Sequence, residues 1–280
     1  MTDILAGQGS DPAALAEIYD LEHDEIREDL VFYREWARRV RGPVIDLGCG
    51  SGRLFGALLD GGAPLVVGVD GSWALLSRAR ERIAHDDRLR GPAAAGRIEL
   101  IQADVRRVEH RERFALAILA GVLSHLDGPE EAARALERAA GLLRRGGLLI
   151  VDGLGPGALP TRDLPLSVDW TRTLQGREVV RRSQLVRRET PEGLRVIFST
   201  LADAVEPDGT IARLPASFRL WYPTPNGLLQ LVEEAGLTVT ATYGSHDLEA
   251  LDGDSERCIV VAMRPARRRV GGPAAPLRPG

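Results

Sequence analysis

The chain has 280 residues, of which 44% are hydrophobic, so it can bury a core as one large domain or as one domain carrying an insert. Its formal net charge of -4 gives no overall attraction to phosphate backbones, so nucleic acid is not an expected partner. All 36 positively charged residues are arginine, which excludes chemistry that needs a Schiff-base or P-loop lysine.

The N-terminal residues and the two cysteines bear on where the chain resides. Residues 1–11 lack the basic and apolar regions of a signal peptide, and no stretch approaches the ~18 apolar residues of a membrane span. Cys49 and Cys258 form no CxxC pair, so neither zinc nor a redox site is indicated. We expect a cytoplasmic protein with no membrane partner and no metal, and the sequence leaves its oligomeric state open.

Two helices and then alternating strands and helices are predicted for the first half of the chain. Helical apolar spacing over 11–41, interrupted near 21–24, makes 1–41 an N-terminal helical segment. From 42 to 155, apolar runs alternate with helical stretches, which indicates a parallel sheet covered on both faces. The runs are PVIDLG at 43–48, LVVGVD at 65–70, RIELIQAD at 97–104, FALAILA at 114–120 and GGLLIVDG at 146–153.

The pattern changes after Pro156. Glycine and proline interrupt it, and three runs of alternating residues joined by polar turns then predict an antiparallel β insert over 156–222. A helix and two strands over 223–264 return to the first sheet and close it. The Pro-, Gly- and Arg-rich tail at 265–280 is expected to be disordered.

The most informative segment is VIDLGCGSGRL at 44–54, where a buried strand runs into Gly48 and Gly50 and then into a helix. Glycines let the backbone approach a ligand closely, and a helix N-terminus offers unpaired N–H groups. The dinucleotide fingerprint requires a further glycine where this chain has Arg53. Asp46 would repel a diphosphate but attract an ammonium or sulfonium group, so the expected ligand has a cationic amino-acid end.

Two further acids follow the next predicted strands. Asp70 stands about twenty residues beyond the glycine turn, where a carboxylate accepts both ribose hydroxyls. Asp104 ends the third strand, where it could accept from an adenine amino group. Three acids at neighbouring strand ends therefore point to an adenosine that carries an amino acid.

The segments VIDLGCGSGRL, VVGVDGSWALLSRAR, IELIQADVRRV, FALAILAGVLSHL and LLRRGGLLIVDGL resemble the successive motifs of class I S-adenosylmethionine-dependent methyltransferases of the small-molecule type. The resemblance covers roughly 17 to 155 and the closing helix and strands. It implies an α/β, Rossmann-like, doubly wound sheet of seven strands with the last antiparallel, an N-terminal lid and the β insert as a substrate cap. It also implies S-adenosylmethionine as cofactor.

The same resemblance implies which residues contact the cofactor. Tyr19 resembles a tyrosine over the methionine end, and Arg53 resembles an arginine that reaches the methionine carboxylate. Gly71 departs from the family pattern, which commonly has a larger apolar residue against the adenine, and Trp73 stands where proline is common. The implied contacts are Tyr19, Asp46, Gly48, Gly50, Arg53, Asp70, Gly71, Asp104, Val105 and Ala120.

Four residues besides the implied cofactor contacts are candidates for the acceptor side. His125 follows the fourth strand and could take a proton from an amine or hydroxyl, or could simply cap or pack. Asp152 could orient an acceptor cation or begin a turn. Trp221 and Tyr222 either pack against a neighbouring layer or wall the acceptor pocket.

The predicted activity is methyl transfer to a nitrogen or oxygen of a small acceptor, by in-line displacement and with no metal. Two alternatives remain open at this point. One is a regulatory or scaffold protein that binds S-adenosylmethionine without turnover. The other is an NAD-dependent Rossmann oxidoreductase, which Arg53, Asp46 and the missing lysine disfavour.

Overall fold

The computed structural model describes residues 11–206 and 208–266. Seven helices are found there: α1 (Pro12–His23), α2 (Glu28–Val40), α3 (Phe55–Asp60), α4 (Trp73–His85), α5 (Asp87–Ala94), α6 (Pro129–Leu142) and α7 (Pro225–Glu234). None of these described helices is long and apolar enough to cross a membrane.

The central sheet has the strand order β10-β11-β5-β4-β1-β2-β3. Its members are β1 (Val44–Leu47), β2 (Val66–Asp70), β3 (Ile98–Gln102), β4 (Phe114–Ala120), β5 (Leu143–Leu154), β10 (Thr238–Tyr243) and β11 (Arg257–Met263). Strands β1 to β5 pair in parallel, whereas β11 is antiparallel to both β5 and β10. The predicted Rossmann-like sheet with an antiparallel last strand is confirmed.

Helices cover both faces of this sheet, as its nearly continuous apolar strands require. One buried cluster joins the strands to α6 and α7, and a second joins the other face to α2, α3 and α4. Because β1, β2, β4 and β5 are parallel, their carboxyl ends meet at one edge. That edge brings Asp46, Asp70, Ala120 and Asp152 into one neighbourhood.

The insert is a separate antiparallel sheet of four strands, in the order β6-β7-β8-β9. They are β6 (Leu164–Leu174), β7 (Arg177–Thr190), β8 (Gly193–Val205) and β9 (Ile211–Tyr222). The expectation of three strands was therefore wrong. The additional strand, β6, contains Pro165 and follows a Gly/Pro-rich stretch, and it pairs only with β7, so proline is tolerated on its free edge.

Helix α1 lies between the two sheets. Leu15 packs with Leu75 of α4 and Ala216 of β9, and Ile18 packs with Val179 and Ala202 of the insert. The helix begins at Pro12 after Asp11, whose carboxylate accepts from Ala13 N at 3.0 Å. The predicted disordered tail lies mostly outside the described residues, which end at 266.

Candidate functional site

The glycine turn follows β1 at the carboxyl edge of the central sheet. Gly48 and Gly50 have φ of +85° and +55°, values that residues other than glycine rarely adopt. A Cβ at Gly48 would lie 2.3 Å from Cγ2 of Val122, and one at Gly50 would lie 2.8 Å from the Tyr19 hydroxyl. Both the backbone conformation and the close neighbours therefore require glycine here.

Asp46 is buried at the end of β1, with 2% of its surface exposed. Its Oδ2 has no hydrogen-bond partner among the described residues. Burial raises the pKa of this carboxyl to about 7, although Arg53 opposes the shift. A buried carboxylate oxygen without a donor is costly, and a ligand's ammonium group would supply the donor, whereas a sulfonium would only attract the charge. The residue therefore fits the amino-acid end of S-adenosylmethionine.

Asp70 organises the turn from the end of β2. Its Oδ2 accepts from Gly50 N at 2.9 Å, and its Oδ1 accepts from Ser72 N at 2.8 Å. One carboxylate thus ties the glycine turn to the start of α4, where Ser72 is the N-cap. Gly71 lies between them and is half-buried, and Trp73 is half exposed beside it.

Tyr19 projects from α1 to the glycine turn. Its ring stacks on His23 with centroids 4.0 Å apart, and burial raises its pKa so that the hydroxyl stays protonated. Ion pairs hold the helix in place: Arg78 Nε lies 2.7 Å from Asp20, and Arg82 lies 2.6 Å from Asp24. Helix α1 therefore covers the turn, which is the position expected of a lid.

Arg53 is engaged by a partner that sequence reasoning missed. Its two terminal nitrogens donate to Asp29 of α2 at 2.7 and 2.5 Å, and one also donates to Ile26 O at 3.1 Å. The guanidinium is thereby fixed beside the glycine turn. Contact with a cofactor carboxylate stays a prediction for this residue.

Asp104 follows β3 and is half-buried. Its carboxylate accepts from the Arg106 guanidinium, with Nε at 2.9 Å from Oδ1, and these bonds hold its pKa well below the ordinary range. The neighbouring Val105 is fully buried, and Ala120 is half-buried at the end of β4. The adenine role of Asp104 and Val105 stays a prediction.

His125 lies in a short 3₁₀ turn after β4 and lines a cavity of about 230 Å³. Its ring packs edge-on against Phe218 of the insert, with centroids 6.3 Å apart. Burial, and to a lesser extent His23, lowers its pKa to about 4. The imidazole is therefore neutral at physiological pH but is a weak base.

Asp152 forms the floor of the same cavity, and its carboxylate has four donors. Oδ2 accepts from the Tyr33 hydroxyl at 2.6 Å and from His246 Nε2 at 2.8 Å, and Oδ1 accepts from Arg257 Nε at 2.9 Å and from a terminal nitrogen of the same guanidinium. Burial raises the pKa of Asp152, but the His246 hydrogen bond and the Arg257 charge outweigh it, so the carboxyl stays ionised. The carboxylate thus fixes Arg257 in the cavity wall rather than presenting an open anion.

The two aromatic candidates of the insert have different roles. Trp221 is 1% exposed and packs in the core cluster of the central sheet. Tyr222 lines the cavity beside His125, and burial raises its pKa. Of the pair, the tyrosine walls the pocket and the tryptophan anchors the insert.

Comparison with known proteins places this geometry in a family. Residues 44–147 match the sequence family described as a methyltransferase domain. Residues 44–147 are a methyltransferase domain. The predictions of a class I methyltransferase, of an enzyme, and of S-adenosylmethionine as cofactor are confirmed. A comparison with curated protein sequences finds no match.

Solved methyltransferase structures share the fold over most of the chain. The CcbJ methyltransferase of Streptomyces caelestis is 24% identical, with 90% of this chain and 96% of that one covered and a TM-score of 0.67. An S-adenosylmethionine-dependent methyltransferase of Clostridium acetobutylicum is 15% identical, covering 90% and 98%, with a TM-score of 0.70. The sugar N-methyltransferase KedS8 of a Streptoalloteichus species is 22% identical, covering 89% and 93%, with a TM-score of 0.67.

Proposed function

We propose that this methyltransferase transfers the methyl group of S-adenosylmethionine to the amine nitrogen of a small acceptor bound in the His125 cavity. The carrying observation is the weakness of the bases in that cavity. The titratable groups among its described lining residues are His125, Asp152, Tyr222, Arg257 and Cys258. The surroundings shift the pKa of His125, Asp152, Tyr222 and Cys258, and none of these four groups could ionise a hydroxyl at neutral pH.

None of these groups is suited to removing a hydroxyl proton: the arginine is a cation without an acceptor, and burial raises the pKa of Tyr222, so its hydroxyl stays protonated. His125 has its pKa lowered to about 4, and Asp152 is ionised but occupied by four donors. Burial raises the pKa of the Cys258 thiol to about 11, so no thiolate forms at neutral pH. A neutral amine needs no proton removed before it attacks, whereas a hydroxyl needs a base in the transition state. The cavity therefore suits nitrogen better than oxygen.

We also infer which residues hold the cofactor, from their burial, their charge and their position at the sheet edge. Asp46, with its unpaired buried oxygen, would accept from the cation of the methionine end, and Asp70 would hold the ribose side of the turn. Asp104 and Val105 would contact the adenine, and Tyr19 would close the pocket. Bound S-adenosylmethionine supplies an activated methyl group, so the chain itself has to align the acceptor and exclude water.

The small-molecule nature of the acceptor is supported by the size of the site. The cavity of about 230 Å³ is bounded by the insert and by the 3₁₀ turn of His125. The similarity to a sugar N-methyltransferase at a TM-score of 0.67 agrees with an amine acceptor of sugar size.

The test is methyl transfer to paired acceptors, a panel of amino sugars and the matching sugars with hydroxyl in place of the amine, followed by mass spectrometry of the product. We expect methylation only in the amine series. The rate should rise up to about tenfold per pH unit until the acceptor's own amine is deprotonated. Methylation of the hydroxyl partners at a comparable rate would overturn the nitrogen assignment.

A further inference from the structure

A second cavity of about 450 Å³, here called the hairpin lobe, adjoins the acceptor cavity. The two share the wall residues Leu154, Tyr222, Pro223 and Cys258. The hairpin lobe lies between the loop after β5 and the turn that joins β7 to β8. An acceptor seated beside His125 can therefore extend across Tyr222 into this lobe.

The hairpin lobe contains a fixed cation, Arg187 of β7. A terminal nitrogen donates to Thr161 O at 3.2 Å, another donates to Glu189, and the backbone N–H donates to Asp163 at 2.8 Å. The side chain is 21% exposed, and its buried Nε has no hydrogen-bond partner among the described residues. A guanidinium has five N–H donors, so two terminal N–H groups of this one have no partner among the described residues, whereas its Nε is closed off from solvent.

The anion that pairs with Arg187 is held much less firmly. The Glu189 side chain is 76% exposed, against 21% for Arg187, so it lies at the rim in solvent. Exposed ion pairs of this kind contribute little and exchange readily. The fixed charge of the hairpin lobe is therefore positive, and its present partner can be displaced by a better placed anion.

We propose that the hairpin lobe binds an anionic group of the acceptor, a carboxylate or a phosphate, through Arg187, and that Glu189 occupies the place of this group when it is absent. Planar oxyanions match the two-pronged donor geometry of arginine. The inference extends the proposed function, because it assigns an anchoring group to the molecule whose amine is methylated.

The chain offers a matched control for the charge of Arg187. Arg188 is the next residue of β7, and it is exposed because consecutive strand residues point to opposite faces. Arg187→Gln and Arg188→Gln therefore make the same change in net charge, one inside the hairpin lobe and one outside it. Arg187→Lys keeps the charge and removes the two-pronged geometry.

The experiment is an NMR titration of the full chain with inorganic phosphate and, separately, with acetate, in saturating S-adenosylhomocysteine so that neither anion enters the glycine turn. We expect Arg187→Gln to weaken binding about tenfold or more, Arg188→Gln to leave it unchanged, and Glu189→Gln to tighten it. The better-bound probe identifies the anion as phosphate or carboxylate. Thermal melting of each variant checks that it is folded.

Equal weakening in Arg187→Gln and Arg188→Gln would overturn the proposal, because the effect would then be one of general surface charge. Failure of both anions to bind wild type would overturn it too. S-adenosylhomocysteine binding is read in the same samples. If the chain binds anions at Arg187 but does not bind S-adenosylhomocysteine, the proposal for the hairpin lobe stands and the proposed methyl transfer is contradicted instead.

Discussion

Asp46 combines a buried position with an oxygen that lacks a donor, so its ionisation and cofactor binding should be coupled. Its pKa is raised to about 7, so below that pH the carboxyl is mostly neutral and attracts a cation poorly. Binding of a cationic amino-acid group then has to expel a proton. We expect the Kd for S-adenosylhomocysteine to fall up to about tenfold per unit as the pH rises toward 7 and to level off above it.

Calorimetric titration across that pH range checks this expectation, with Asp46→Asn as the control. The amide has no charge to titrate, so the variant should bind more weakly at alkaline pH and show a flat profile. A wild-type Kd that does not change between about pH 5.5 and 7.5 would show that Asp46 does not face the cofactor's cation.

His125 is predicted to position the acceptor rather than to act as its base. Because its pKa is lowered to about 4, it is neutral from about pH 5 upward. Its protonation therefore cannot change kcat/KM with pH in that range. His125→Ala should reduce kcat/KM by less than about tenfold, below the 10² to 10⁴ typical of a general base. The Kd for S-adenosylhomocysteine should be nearly unchanged.

Steady-state kinetics over pH, with the exposed His85→Ala as control, separates the two roles. If the plot of kcat/KM against pH for wild type has a limb near pH 6.5 that disappears in His125→Ala, the histidine is a base whose pKa rises when the acceptor binds. Early unfolding of His125→Ala would instead assign the residue to packing against Phe218.

At the scale of single elements, the glycine turn makes the clearest prediction. Gly50 and Gly62 both have positive φ, of +55° and +88°, so alanine at either costs about 1 to 2 kcal/mol in backbone strain. A Cβ at Gly50 meets the Tyr19 hydroxyl at 2.8 Å, whereas nothing lies within 4 Å at Gly62. Gly50→Ala should therefore displace the lid and weaken S-adenosylhomocysteine binding more than about tenfold, while Gly62→Ala should only lower Tm.

Thermal melting and calorimetry on both variants provide the measurement. Equal losses of affinity in the two would attribute the effect to strain alone. Wild-type affinity in Gly50→Ala would show that Tyr19 does not need its present place over the turn.

The elements with strong local signals were the ones predictable from sequence. The five parallel strands were placed within a few residues of their observed bounds, because each contains a short, largely apolar run that ends at or shortly before a glycine or an acid. Strand β6 was missed, since Pro165 and the preceding glycines and prolines obscure an alternating pattern that is visible once the strand is known to be an edge.

The acceptor side of the site could not be predicted in the same way. Asp152 takes its donors from Tyr33, Arg257 and His246, which are 119, 105 and 94 residues away along the chain. The Asp29 partner of Arg53 is 24 residues away on another helix. Only the packing of α2 and the late strands onto the sheet edge creates these pairs, so no spacing in the sequence signals them.

At the scale of the whole molecule, α1 connects the methyltransferase domain to the insert. It packs against α4 on one side and against β7, β8 and β9 on the other. Ion pairs add to this packing: Arg172 lies 3.0 Å from Glu25, and Arg181 lies 2.5 Å from Glu22. Helix α1 and the insert therefore form one packed unit, and we expect a ligand bound beneath it to bind only the folded state.

This arrangement predicts how the whole chain responds to the cofactor product. A ligand that binds only the folded state stabilises it by mass action, by about 2.7 kcal/mol at a hundredfold excess over Kd. For a chain of this size, S-adenosylhomocysteine should then raise Tm by roughly 5 to 10 °C. NAD at the same concentration should leave Tm unchanged, because Asp46 would repel a diphosphate and Arg53 stands where the dinucleotide fingerprint has glycine. Gly50→Ala should show a smaller rise in Tm with S-adenosylhomocysteine than wild type and no shift with NAD. A rise in Tm with NAD alone would contradict the cofactor assignment, whereas a rise with S-adenosylhomocysteine but no methylated product from any amine would favour a binding protein without turnover.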